Sequence, residues 1–287
     1  MIASKGYPVE EHAVLTRDGY IIFLQRIPYG RSGPSRQSRP VVFLQHGLFD
    51  SSIDWVMNYP HQSLGYILAD AGYDVWLGNV RGNDYSSHIT YTKRKKKFWD
   101  FSFDEMIAID LPTMIDYVLE RTGHGRLIYV GHSQGTMIMF GLLAQFPKYN
   151  KKRFLGMIGM YDLFGATEFF SWLRRLTSRS QMVKKVLLDQ FYFYAGLEPL
   201  RYNMWQPPNY DLSRVTAPTA IFYSLNDWLS DTKDVRKLVY SLPNVVMTYQ
   251  VADPQFTHID FTLSLLASRF VYPTLLRLLN VYGTAPE

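Results

Sequence analysis

The stretch RLIYVGHSQGTMIMFGLLAQF, from Arg126 to Phe146, decides the fold. It begins with an apolar run typical of a buried strand and ends with the apolar pattern of a buried helix. Between them lies a G-x-S-x-G pattern, a weak signal on its own, which falls here where a strand turns directly into a helix. Gly131 and Gly135 would let strand and helix approach each other closely. The stretch therefore predicts that Ser133 is forced out at the tip of this turn, above the C-terminal edge of a sheet.

Strand and helix patterns alternate on both sides of this turn. An antiparallel hairpin is predicted near the start of the chain, where Arg17, Asp18 and Gly19 separate two β-rich runs. The apolar runs that predict the other strands are VVFLQHG from Val41, YDVWLGN from Tyr73, RLIYVGH from Arg126, FLGMIGMY from Phe154, PTAIFYS from Pro218 and VVMTYQV from Val245. Alternation of this kind predicts an α/β fold with a mainly parallel eight-stranded sheet and helices on both faces.

One region, residues 163–212, breaks the alternation. It is too long for an ordinary loop and shows no convincing strand, so we interpret it as a helical cap inserted into a single domain of residues 1–287. Apolar residues recur at roughly helical spacing between Phe169 and Leu187, mostly opposite basic ones. This pattern is typical of a helix docked on the core, and equally of a lid over an apolar pocket or a lipid surface.

Composition excludes several classes of protein. The chain has 287 residues, a net charge of +5, 19% charged and 16% aromatic residues, which excludes a disordered chain and a nucleic-acid-binding tail. We interpret the basic run TKRKKK, from Thr92 to Lys97, as a solvated loop. The absence of cysteine excludes disulfides and a cysteine nucleophile. No ligand spacing for a metal, no phosphate-binding loop and no apolar window long enough to span a membrane is found, so no metal, cofactor or transmembrane segment is expected.

A serine hydroxyl becomes nucleophilic only when a base removes its proton. Hydrolases with this elbow carry their triad in the order serine, acid, histidine. Of the seven histidines, only His258 follows Ser133, so His258 is the predicted base. Asp227 is the predicted acid because it closely follows the strand TAIFYS. Asp231 opens a helical pattern, where an N-cap role suffices to explain it, and Asp162 after the strand from Phe154 is a further candidate.

Acyl transfer also needs hydrogen-bond donors at the developing oxyanion. One predicted donor is the backbone amide of Gln134, directly after Ser133, and the other is the amide of Leu48 in the loop after VVFLQHG. The same loop could also be a plain strand-to-helix turn. His46 and Gly47 are interpreted as shaping that loop, without a role in proton transfer.

Several segments together resemble the animal acid lipases, the family of gastric and lysosomal acid lipases. These segments are GYPVEEHAVLTRDGYIIFLQRIPYG, VVFLQHGLFDSSIDWV, VWLGNVRGNDYSSHI, FWDFSFDEMIAIDLPTMIDYV, YVGHSQGT, NDWLSDTKDV and THIDF. The resemblance implies an α/β-hydrolase fold and a serine lipase or esterase that hydrolyses neutral lipid esters, such as triacylglycerols or cholesteryl esters, through an acyl-enzyme. Carried over by motif, the triad falls on Ser133, Asp227 and His258, with oxyanion donors at Leu48 and Gln134.

The chain departs from the family pattern in three respects. Its cap region is shorter than the family's, it has neither cysteines nor N-x-S/T sequons, and its first residues, MIASKGYPVEEH, lack the layout of a secretory signal. The resemblance nevertheless implies a secreted or lysosomal location and a lipid ester substrate, met at a lipid–water interface. A small-ester carboxylesterase and a non-catalytic lipid-binding protein remain alternatives, and the oligomeric state stays open.

Overall fold

The computed structural model describes residues 1–152, 157–158 and 210–283. The predicted cap, residues 163–212, lies outside the described residues except for its last three positions. The amphipathic pattern between Phe169 and Leu187 lies wholly outside them.

Within the described residues one mixed sheet has nine strands. The strands are β1 (Glu10–Leu15), β2 (Tyr20–Ile27), β3 (Val41–Gln45), β4 (Asp74–Gly78), β5 (Ser86–His88), β6 (Ile128–His132), β7 (Met157–Ile158), β8 (Thr219–Tyr223) and β9 (Val245–Gln250). The sheet order is β1-β2-β4-β3-β6-β7-β8-β9, with β5 paired to the first half of β2. Along this order, every neighbouring pair from β4 to β9 is parallel. Strand β2 pairs antiparallel with each of its neighbours, β1, β4 and β5. The mainly parallel α/β sheet is confirmed, but the predicted number of eight strands is wrong for the described residues, because the short β5 pairs with β2 as a ninth strand.

Every residue of β3, β4 and β6 is buried, because helices cover both faces of the sheet. Alternate residues of β3 point to opposite faces. Phe43 packs in the core on one face, with the helices of residues 111–122, 134–145 and 232–241, whereas Leu44 packs on the other face with those of residues 64–70, 260–263, 267–270 and 272–283. The continuous apolar runs in the sequence thus correspond to central strands with two buried faces.

The α-helices of the described residues are α1 (Leu64–Asp70), α2 (Phe103–Glu105), α3 (Leu111–Thr122), α4 (Gln134–Gln145), α5 (Thr232–Ser241), α6 (Asp260–Leu263), α7 (Ala267–Phe270) and α8 (Tyr272–Gly283), and a π turn, Met106–Asp110, joins α2 to α3. Ser102 and Glu105 form a capping box at the start of α2. Gly123, at a φ of +70°, ends α3 where the sequence predicts. No helix in these ranges is both long enough and apolar enough to cross a bilayer. The run Thr92–Lys97 is solvent-exposed, as predicted.

A buried ion pair ties the loop after β4 to the helical face of the sheet. The Arg81 guanidinium contacts Asp110 at 2.6 Å and Asp18 at 2.6 Å, and the Asp110 side chain is fully buried. The Tyr20 ring stacks on the guanidinium, with 4.1 Å between Arg81 Cζ and the centroid of the tyrosine ring. Arg81 therefore connects Asp18, in the turn of the N-terminal hairpin, to Asp110, at the end of the π turn. Removal of Arg81 would leave the buried Asp110 carboxylate unpaired.

Candidate active site

Ser133 stands between the last residue of β6 and the first residue of α4. Its φ is +52° and its ψ −120°, a conformation that costs energy in any residue other than glycine. The flanking glycines make the turn possible: a Cβ built on Gly131 would lie 2.8 Å from the carbonyl carbon of Gly135, and one built on Gly135 would lie 2.6 Å from the backbone oxygen of Gln45. Although Ser133 is at the tip of the turn, only 5% of it is exposed.

His258 and Asp227 form a buried pair. His258 Nδ1 lies 2.8 Å from Asp227 Oδ2, and both residues are 4% exposed. The second carboxylate oxygen accepts hydrogen bonds from the amides of Leu229 at 3.0 Å and Ser230 at 2.9 Å. With a carboxylate oxygen as the acceptor, Nδ1 of His258 is the donor, and in a neutral imidazole Nε2 then keeps its lone pair. In the described part of the chain, this buried Nε2 has no hydrogen-bond partner.

The other acid candidates differ in placement. Asp231 caps α5 by accepting a hydrogen bond from the Lys233 amide at 2.9 Å, which confirms the predicted N-cap role. Asp162 lies outside the described residues. Asp227 is therefore the candidate that the structure brings to His258.

The elbow and His258 are joined through His132, the residue before Ser133. His132 Nε2 lies 2.9 Å from the backbone oxygen of His258, and the two imidazole rings are 4.8 Å apart between centroids. These contacts bring Ser133, His258 and Asp227 to the same C-terminal edge of the sheet. His132 could not be singled out from the sequence, because its partner lies far away along the chain.

The predicted oxyanion donors flank the serine. Gln134 is the first residue of α4, and Leu48 lies in a turn in which the Asp50 amide bonds the Gly47 carbonyl at 3.4 Å. Phe49 in that turn has a φ of +65°. Gly47 packs directly on the elbow, since a Cβ there would be 3.0 Å from the Ser133 Cβ. Neither the Leu48 nor the Gln134 amide donates a hydrogen bond to another described residue.

A polar network supports the Leu48 turn. His46 donates from Nδ1 to the Gly47 carbonyl at 2.7 Å, and its Nε2 accepts from Asn83 at 3.2 Å. Asn83 also bonds Asn79 at 2.8 Å. Burial lowers the pKa of His46 to about 4, so the ring stays neutral. This agrees with the predicted loop-shaping role of His46. Asn79 and Asn83 were missed, although both occur in the GNVRGN segment after β4.

Asp50, the last residue of the same turn, and Asp54, four positions later, carry two neighbouring carboxyl groups. Burial and the neighbouring Asp50 carboxylate raise the pKa of Asp54 to about 8, and burial raises the pKa of Asp50 as well. Like charges this close cannot both ionise readily, so the pair retains a proton at neutral pH. Nothing in the sequence pattern signals the pair, because its chemistry depends on burial. Among the described residues, no group of three histidine or acidic side chains could hold a metal ion.

Comparison with known protein families finds two family models that match this chain. A model of a partial α/β-hydrolase lipase region matches residues 1–59, and a model of the α/β-hydrolase fold matches residues 40–160. Similar solved structures include an esterase of Pyrococcus furiosus, with a TM-score of 0.66 at 15% identity over 99% of this chain and 94% of that one. An esterase of Thermogutta terrifontis has a TM-score of 0.62 at 15% identity, over 96% of this chain and 100% of that one. These structures share the fold.

Curated relatives are closer in sequence. Human lysosomal acid lipase/cholesteryl ester hydrolase is 33% identical over 98% of this chain and 90% of its own length. Human gastric triacylglycerol lipase is 34% identical over the same shares, 98% and 90%. Lipase 3 of Drosophila melanogaster is 32% identical, over 98% of this chain and 92% of its own.

Proposed function

Since the chain belongs to the α/β-hydrolase family of gastric and lysosomal acid lipases, we propose that it hydrolyses neutral lipid carboxylic esters with a triad of Ser133, His258 and Asp227. A carboxylic ester hydrolase is the activity class common to these relatives. The observation that carries the proposed triad is the 2.8 Å contact between His258 and Asp227, made beside the Ser133 elbow.

In the proposed acylation step, the Ser133 hydroxyl attacks the acyl carbon while His258 Nε2 takes its proton. Asp227 stabilises the imidazolium that forms. The amides of Leu48 and Gln134 donate to the oxyanion of the tetrahedral intermediate, and each such donor is worth about 3 to 4 kcal/mol. When the intermediate collapses, the ester bond breaks and His258 returns the proton to the departing alcohol.

Deacylation reverses the roles of the same groups. A water molecule enters after the alcohol leaves, His258 removes its proton, and the resulting hydroxide attacks the acyl-enzyme carbon. Collapse of the second tetrahedral intermediate releases the carboxylic acid, and His258 returns a proton to Ser133. No redox group or metal is needed to balance either step.

The rim of the site supports an apolar substrate. Large apolar side chains near the proposed catalytic residues are about half exposed: Phe49 at 49%, Trp228 at 52% and Ile259 at 57%. A water-soluble substrate gains little from such a rim, whereas an acyl chain at a lipid–water interface would cover it.

Residues 163–212 are proposed to form a cap inserted in the single domain. The relatives' names support a secreted or lysosomal location.

Hydrolysis of p-nitrophenyl esters by the Ser133→Ala variant tests the proposal. We expect the variant to keep the fold, by circular dichroism, and to lose measurable turnover, while Ser87→Ala at an exposed strand position keeps the activity of the unaltered chain. Undiminished turnover in Ser133→Ala would overturn the triad.

A substrate panel of increasing acyl length tests the ester class. We expect turnover of emulsified triacylglycerol or cholesteryl ester. Turnover confined to short soluble esters would identify a small-ester carboxylesterase. Failure to turn over any ester, together with binding of a lipid ester, would identify a lipid-binding protein.

A further inference from the structure

We propose that His132 is a positioning residue. Its side chain holds the backbone of His258 and so keeps the His258 imidazole in place beside Ser133. The inference rests on the proposed triad and adds to it a residue that does not touch the substrate. The residue that precedes Ser133 in the chain would thus control the geometry between Ser133 and His258.

The hydrogen bond between the two histidines fixes the protonation of His132. A backbone carbonyl can only accept, so His132 must donate from Nε2 to the His258 oxygen, 2.9 Å away. Its proton is therefore on Nε2, and its Nδ1 is bare. This Nδ1 is buried, lacks a hydrogen-bond partner within the described residues and faces Gly47, whose built Cβ would lie 3.2 Å from it.

The carbonyl of His258 depends on this donor. It precedes α6, where the Thr262 and Leu263 amides both bond the Ile259 carbonyl, and no backbone amide of the described residues bonds the His258 oxygen. A buried carbonyl without a donor is costly, at about 1–3 kcal/mol. His132 supplies the missing donor and so determines where the backbone of His258 lies.

His258 is consequently held at two points. Asp227 holds the ring at Nδ1, at 2.8 Å, and His132 holds the main chain at the carbonyl oxygen, at 2.9 Å. The segment between β9 and α6 has no regular secondary structure, and next to His258 it is fixed locally by the Thr257 amide and hydroxyl, which both donate to Asp260 at 2.6 Å. Asp227 thus ties the ring to the loop after β8, and His132 ties the backbone of His258 to the elbow.

The charge state of His132 is compatible with this role. Burial and, to a smaller extent, the positive charge that His258 can carry lower the pKa of His132 to about 3. His132 therefore stays neutral while His258 becomes an imidazolium during turnover. A cation at position 132 would instead repel that imidazolium across the 4.8 Å between the rings.

Two substitutions separate positioning from packing. His132→Leu keeps an apolar side chain in the core but removes the donor, whereas His132→Gln retains an N–H group that reaches about as far as the imidazole Nε2. We expect His132→Leu to lower kcat for a short soluble ester about 10- to 100-fold, the effect of a small misplacement of a catalytic group, with KM changed less than about twofold. We expect His132→Gln to restore kcat to within a few-fold of the unaltered chain. His124→Leu, at a histidine that bonds Ser38 and Thr122 at a distance from the site, is the matched control.

Labelling by a fluorophosphonate separates this inference from the proposed function. The unaltered chain should be labelled at Ser133, and His132→Leu should be labelled more slowly, in proportion to its loss of kcat. Equal labelling rates and equal kcat in both proteins would overturn the positioning role and leave the triad standing. Equal losses in the Leu and Gln variants would also overturn it, because they would indicate packing. An unlabelled Ser133 in the unaltered chain would refute the proposed function itself.

Discussion

Replacement of Asp227 by asparagine should disable the base without disturbing the fold. One carboxylate oxygen of Asp227 accepts from the Leu229 and Ser230 amides, at 3.0 and 2.9 Å, and the other accepts from His258 Nδ1 at 2.8 Å. An asparagine side chain offers one oxygen and one NH2 group. Because both backbone amides can only donate, the oxygen must face them and the NH2 group must face His258.

That orientation reverses the tautomer of His258. The NH2 group donates to Nδ1, so the imidazole proton moves to Nε2, which can then no longer accept the Ser133 proton. We expect kcat to fall about 10⁴-fold, or about 5.5 kcal/mol in the activation barrier. Both amide hydrogen bonds remain, so the thermal midpoint should change little.

Steady-state hydrolysis of a soluble p-nitrophenyl ester, measured across pH, provides the assay. Asp231→Asn is the control, since asparagine also caps helices well and the α5 cap is not in contact with His258. It should keep kcat within about twofold of the unaltered chain, as expected for a surface substitution. If Asp227→Asn retained kcat within tenfold of the unaltered chain, the argument from tautomer control would be wrong.

Three further predictions concern stability and can be measured by chemical or thermal unfolding. Gly135→Ala should cost about 1–3 kcal/mol, because its Cβ would lie 2.6 Å from a backbone oxygen of β3, whereas Gly125→Ala, with open space around it, should be close to neutral; equal effects would contradict the packing argument. Arg81→Met should cost about 3–5 kcal/mol by leaving Asp110 buried and unpaired, and a loss below about 1 kcal/mol would refute the role of this ion pair. The pKa of Asp54 is raised to about 8 in the folded chain, so the folded state binds more protons than the unfolded state between about pH 4 and pH 8, and stability falls as pH rises through that window. Asp54→Asn should flatten this decline, and an unchanged slope would show that Asp54 does not cause it.

Much of the fold could be predicted because it depends on local patterns. The apolar runs at β3, β4 and β6 predict central strands, and the pattern ending at Gly123 predicts the end of α3. β5 could not be predicted, since its SSH sequence has no strand pattern and forms a strand only by pairing with β2. The π turn before α3 packs closely on α4, where Ile107 lies against Gly141, and no local sequence pattern indicates this contact.

The candidate site also has some residues that the sequence predicts and others that only the folded structure reveals. His258 could be predicted as the base because chain order leaves one histidine after Ser133, and Asp227 could be predicted as the acid because it follows a predicted strand. The contact between His132 and His258 joins residues 126 positions apart, so it emerges only when the loops are in place. The protonation of Asp54 likewise depends on burial beside Asp50, which no residue spacing reveals.

Covalent labelling with a fluorophosphonate, followed by peptide mapping, tests the proposed triad most directly. The expected result is a single adduct on Ser133 in the unaltered chain, with labelling at least tenfold slower in His258→Ala, because the hydroxyl then lacks its base. An adduct on any other residue, or labelling of Ser133 that is equally fast without the His258 imidazole, would contradict the account.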